Sequence, residues 1–284
     1  MHKIIELNIM VSRLNSLFFG LLMGLLACES PKQLITVDDA EGILQNTRAP
    51  VMRVVRLNEP QFLAVREHRM VLLEVNGNHS TNPIPVQLAE QMEEDSWQIL
   101  FCMPPGPAGI RKFKLVEKEE ATFPSALNAK ENEYGQVILS EGDNRVLQYN
   151  YQTVYSKDVI RGPDEQEEEH VRSARDTFVS TSIYAVPRSD YIHPLYGLEG
   201  EMLTRDWPDG GHPHHRGIFW AWPEVEYGSK KGDIYALQKI FARPSGEIRL
   251  SSGSVFGAIK AENLWMWEDQ EPLVREKVEI KVYR

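Results

Sequence analysis

The last part of the chain alternates. In "GEIRLSSGSVFGAIKAENLWMWED" and "LVREKVEIKVYR", apolar and polar residues change places with a period of two. That is the repeat of a strand with one buried and one wet face. No stretch carries a long, clean helical stripe. Upstream, "VMRVVRL", "MVLLEV", "SWQILFCM" and "RKFKLVEK" are short runs rich in Val, Ile, Leu and aromatics, bounded by Pro, Gly and Asn. "MPPGPAG" reads as a rigid turn, because its prolines neither donate to a ladder nor continue a helix. "GDN" supplies a tight turn between "QVILSE" and "RVLQYN". The pattern predicts an all-β protein of two-sheet sandwich type.

At 284 residues the chain has material for one large domain or two ordinary ones. An N-terminal β-module is expected over 50–118, and "EKEEATFPSALNAKEN" reads as a linker to a β-sandwich domain over 133–284. The polar stretch "RGPDEQEEEHVRSARD" reads as a solvated loop or short helix, and "DIYALQKIFA" as a strand. The final run stops without a closing turn, which leads to the expectation of a fragment truncated at its C-terminus.

The first 28 residues stand apart. Lys3 and Arg13 precede an apolar run over 17–27, shorter than the roughly 20 residues of a membrane span and of the size of a signal-peptide core. Leu25-Leu26-Ala27-Cys28 resembles the bacterial lipobox. A signal peptide over 1–27, a lipid on Cys28, a tether over 28–49 and a place in the bacterial cell envelope are therefore expected, with Met1 or Met10 as the start. The other cysteine, Cys102, sits in an apolar run and reads as a buried small hydrophobe, so no disulfide framework exists. The net charge of −10 and the scattered Lys and Arg argue against a nucleic-acid partner.

One segment concentrates chemistry. "DGGHPHHRGIFWAW", residues 209–222, holds three of the chain's eight histidines within four positions, beside Arg216. In an extended strand His212 and His214 would share a face, with His215 opposite, though Pro213 favours an edge or loop. His212 and His214 could hold a divalent metal, copper included, with further ligands from His193, Asp206, Asp209 or Glu224. The alternative is acid/base work: imidazole titrates near neutrality, and a guanidinium anchors carboxylates or oxyanions. On this reading His212, His214, His215 and Glu224 are the catalytic candidates. Arg216, His193, Tyr191, Asp206, Trp220 and Trp222 are the substrate-binding ones, because indole faces stack on the C–H faces of sugars. Phe219 and Trp220 also read as core. His68, His79 and His170 read as surface residues. No nucleophile elbow, P-loop or dinucleotide fingerprint is present.

The segment "YIHPLYGLEGEMLTRDWPDGGHPHHRGIFWAWPEV", with "VPRSD", "NLWMWED" and "PLVREKVEIKVY", resembles the PmoA-like family of exported bacterial proteins, labelled "methane oxygenase PmoA". The resemblance runs from about residue 50 to the terminus. It implies a β-supersandwich similar to galactose mutarotases, in which histidines and an acidic residue handle a sugar. It therefore implies a saccharide or sugar-derived ligand for an epimerase-, hydrolase- or lyase-type protein, or for a non-catalytic glycan binder. Nothing after Cys28 reaches 18 consecutive apolar residues, as a membrane methane monooxygenase subunit would need.

Overall fold

The computed structural model describes residues 34–75, 82–118, 123, 126–155, 186–206 and 214–284. The first part of this chain contains β1 (Leu34–Asp39), β2 (Ala49–Arg56), α1 (Glu59–Arg66), β3 (Met70–Glu74), β4 (Ile84–Pro85), β5 (Gln87–Glu93), β6 (Ser96–Met103) and β7 (Gly109–Glu117). They form two sheets, in the orders β1-β7-β3-β4 and β2-β6-β5. β2 and β6 pair without a slip from Ala49↔Met103 to Arg56↔Ser96. Strand alternation turns Ile35, Val37, Val55, Leu72, Ile99, Phe101 and Phe113 into one core.

Two differences from the sequence reading lie here. The tether expected over 28–49 is already folded from residue 34, because β1 pairs along its whole length with β7. The Asp39 carboxylate then accepts from the N–H groups of Ile43 and Leu44, at 2.8 and 3.0 Å. A short helix also appears: the Asn58 side chain accepts from the Gln61 N–H, the Gln61 side chain accepts from the Asn58 N–H, and a proline occupies the first turn. This is a capping box. Ala64 and Val65 are the helix's buried residues.

The second part contains β8 (Leu127–Glu131), β9 (Val137–Glu141), β10 (Asn144–Asn150), β11 (Tyr191–Leu195) and β12 (Ile218–Phe219), in one antiparallel sheet of order β12-β11-β10-β9-β8. β13 (Val225–Tyr227) and β14 (Lys230–Gly232) make a small hairpin, and β15 (Ile240–Ser251), β16 (Phe256–Trp267) and β17 (Glu271–Tyr283) a long meander. The expected linker is thus partly strand, since β8 lies within it and pairs β9. "DIYALQ" is a turn instead of a strand, with the Asp233 carboxylate accepting from the Ala236 N–H at 2.8 Å. "RGPDEQEEEHVRSARD" lies outside the described residues.

All-β architecture is therefore what the chain adopts. Val137, Leu139, Leu147 and Tyr149 from the five-stranded sheet pack on Ile259, Ala261 and Val278 from the meander. Each Val, Leu or Ile among them, fully buried, stabilises by roughly 1.5–3 kcal/mol. The first part joins the second through a buried amide. Gln87 Oε1 accepts from Val255 and Phe256 N–H at 3.1 Å each, and Nε2 donates to the Phe256 carbonyl at 3.0 Å. Half-buried Cys102 packs beside this junction with Leu100, Val255 and Phe256, and burial pushes its thiol up.

One polar group sits inside the sandwich. Tyr149 donates to Asp190 Oδ1 at 2.7 Å and accepts from Asn263 at 3.0 Å, while Trp265 donates to Glu276 at 2.9 Å. Burial, and then the neighbouring Glu276 carboxyl, push Asp190 from its ordinary 3.8 up to about 8. The unfolded chain releases this proton near the ordinary value and the folded chain only near 8. The stability from Asp190 is therefore complete below the ordinary value and is lost as pH rises towards 8. Urea midpoints measured between pH 5 and pH 8 are expected to fall more steeply for the wild type than for Asp190→Asn. Parallel curves would contradict the assignment.

Candidate functional site

The residue order His214-His215-Arg216-Gly217 divides between outside and inside. Arg216 is 1% exposed. Its guanidinium pairs with the Asp206 carboxylate through Nε and Nη2, and Nη2 donates to the Tyr191 hydroxyl at 2.9 Å. Tyr191 in turn donates to Asp206 Oδ2 at 2.6 Å, which closes a three-membered network. Burial is the largest of the influences that hold the Tyr191 hydroxyl well above its ordinary pKa. Gly217 follows at φ +52°, and a Cβ there would stand 2.2 Å from the Ile192 carbonyl oxygen on β11. Only glycine fits this approach.

A second arginine lies beside the first. Arg188 donates to the carbonyls of Ile234 (2.7 Å), Tyr235 (3.3 Å) and Trp220 (3.3 Å), and stands over the Phe219 ring at 4.1 Å. Burial, then the charge of Arg216, lowers it to about 10. One buried cation thus ties the tryptophan-bearing segment to the turn that carries Tyr235. The space enclosed by Val186, Arg188, His214, Arg216, Tyr235 and Leu237 is too small for a water molecule.

Above this floor stand the rings. His215 is exposed, and its Nε2 lies 2.6 Å from the Tyr235 hydroxyl. His214 packs edge-on to His215 with centroids 4.6 Å apart, and its ring lies 4.8 Å from that of Tyr235. Trp222 is 69% exposed and Trp220 37%. β12 ends at Phe219, so the two tryptophans do not share a strand face as expected, and Trp220 is not core. Phe219 is half-buried, under Arg188 and 5.6 Å from the Tyr235 ring. Glu224 is exposed in a turn at φ +55°.

The sequence-predicted residues therefore separate. His214, His215, Trp220, Trp222 and Glu224 belong to the outer segment. Arg216, Asp206 and Tyr191 form a closed interior unit, not the open substrate-binding surface that had been expected. His193 is buried too: its Nδ1 lies 3.0 Å from the Thr204 hydroxyl, and its carbonyl accepts from Asn150 at 2.7 Å. His68 is half-buried at φ +61°. His212, Asp209, His79, His170 and Cys28 lie outside the described residues. Among the described residues no group of three His, Cys, Asp or Glu side chains could hold a metal ion. Tyr235 and Arg188 were not identified as site residues from sequence. Tyr235 sits in a run that reads as a strand, and Arg188 is a single cation in "VPRSD"; neither position carries a local signal.

These features define a β-sandwich protein whose exposed histidine–tyrosine pair rests on a buried two-arginine floor. The family model described as a family of unknown function (DUF6807) matches residues 136–284, just over half of the chain, and the chain belongs to that family. No curated protein and no solved structure matches it.

The floor yields a stability prediction. Asp206→Ala leaves the Arg216 charge buried without its partner, at an expected cost of about 3–5 kcal/mol in urea unfolding. Gly217→Ala meets both the positive φ and the Ile192 carbonyl, and is expected to cost at least about 2 kcal/mol. A loss below about 0.5 kcal/mol for either would refute the described packing.

Proposed function

We propose that this chain is an exported, lipid-anchored, carbohydrate-active protein of the PmoA-like kind, acting on a saccharide or sugar derivative through acid/base chemistry at His215 and Tyr235. The observation that supports this best is the 2.6 Å contact between an exposed imidazole and a phenol, on a surface whose next segment displays Trp222 to solvent. An imidazole and a phenol in hydrogen-bond contact form a proton relay: one accepts a proton from a sugar hydroxyl while the other returns one to a ring or glycosidic oxygen. Exposed indoles supply the apolar platform on which a pyranose face rests. His214 holds the relay's geometry by ring packing, Glu224 is the next carboxylate along the chain and the candidate base, and Arg188 and Arg216 position the segment from below. In this reading the lipid on Cys28 attaches the protein to the membrane in the cell envelope.

Binding without turnover is the second reading, favoured by the sequestration of Arg216 and Asp206, which leaves few charged groups of the motif facing a substrate. A panel of oligosaccharides and aryl glycosides incubated with the wild type, His215→Ala and Tyr235→Phe separates the two. Acid/base catalysis predicts turnover of at least one sugar, reduced roughly 10²–10⁴-fold in both variants at unchanged melting temperature. Sugar binding with no product from any member of the panel would establish the non-catalytic reading, and neither binding nor turnover would end both. Lipidation is checked separately, by palmitate labelling that Cys28→Ala abolishes.

A further inference from the structure

A cavity of about 680 Å³ lies on the face of β9 and β10 turned from the sandwich core. It shares none of its described lining with His214, His215 or Tyr235. Its volume falls within the roughly 300–1,000 Å³ typical of small-molecule sites. The face is unusual for the solvent side of a sheet, because its amides are buried. Gln148 and Asn150, which alternate with core residues Leu147 and Tyr149, are 8% and 2% exposed. Gln148 Nε2 donates to Asn150 Oδ1 at 2.8 Å, and Asn150 is held through the His193 carbonyl. Their positions are fixed in advance.

The rims carry two tyrosines on anchored backbone. Tyr134, 72% exposed, sits in the β8–β9 turn, where the Asn132 carboxamide accepts from the N–H groups of Tyr134 and Gln136 at 3.0 and 2.9 Å. Gly135 at φ +71° completes that turn. Tyr155, 53% exposed, follows a segment clamped by Gln136, whose amide both accepts from the Gln152 N–H (3.1 Å) and donates to its carbonyl (3.2 Å). The charged groups among the described lining are Glu133 and Arg145, of opposite sign.

We infer that this cavity is a saccharide-binding groove for a neutral glycan, separate from the His215–Tyr235 surface and independent of whether that surface is catalytic. Phenol rings offer apolar faces with a polar tip, suited to the C–H faces and hydroxyls of a pyranose. The amides beneath are already fixed by their own hydrogen bonds, so a sugar that packs on this face orders little more than the tyrosine rings. The balanced Glu133 and Arg145, on a chain of net charge −10, disfavour a polyanionic ligand.

Affinity electrophoresis through gels containing galactan, xylan or mixed-linkage glucan, with polygalacturonate as the charged comparator, tests this on the whole protein. At least one neutral polymer should retard the wild type. Tyr134→Ala/Tyr155→Ala and Arg145→Ala, both at exposed positions, should weaken that affinity roughly tenfold or more, equivalent to about 1.4 kcal/mol, without moving the melting temperature. His215→Ala should leave it unchanged, even if turnover is lost. The inference is overturned by retardation in polygalacturonate alone, by none in any neutral polymer, by full retardation of the groove variants, or by its loss in His215→Ala.

Discussion

The ion pair between Arg216 and Asp206, completed by the Tyr191 hydroxyl, is the constraint on which the rest of the second part of the structure hangs. A guanidinium that is 1% exposed is tolerable only with its charge compensated and its donors satisfied. Asp206 takes the charge, the Tyr191 hydroxyl and the Val186 carbonyl accept from the two outer nitrogens, and Gly217 lets the backbone press against β11. Asp206 and Arg216 are held next to each other through their backbones as well, by an antiparallel bridge.

Burying Arg216 decides where its neighbours go. His215 and His214 immediately precede it, and both rings meet Tyr235: half-buried His214 helps to close the floor, and exposed His215 lies outside it. The same floor contains a second cation, Arg188, which burial and then the charge of Arg216 disfavour and which three carbonyls and an aromatic face hold in place. These contacts give the outer segment a defined shape without a regular strand. Rigidity of this kind is what an acid/base pair or a stacking platform requires, because misplacement by an ångström is costly.

Two other buried contacts work by amides in place of charges. Gln87 stitches the first part to β16 by imitating a strand's donor–acceptor pair, and Gln136 does the same for the segment that carries Tyr155. Both of these amides are satisfied by main chain, so each specifies one arrangement instead of several. The groove beside β9 and β10 takes part of its order from the Gln136 clamp.

Period-two alternation was enough to announce β15, β16 and β17, and the Gly-Asp turn between β9 and β10, because pleat and turn chemistry are local properties of the chain. The capping box of Asn58 and Gln61 was equally local, although a single short helix leaves no long stripe to draw attention to it. What strands pair with was decided only in three dimensions: β1 looks like a tether until β7 lies beside it, and β8 like a linker until β9 does. The histidine block shows the same division most sharply. Its composition marked out residues 214–216 as chemically unusual, but a guanidinium facing solvent and one sealed against Asp206 have the same local sequence. The counter-charge, the tyrosine under it and the phenol opposite His215 come from other elements, and only their convergence in the folded chain sorts the motif into floor and surface.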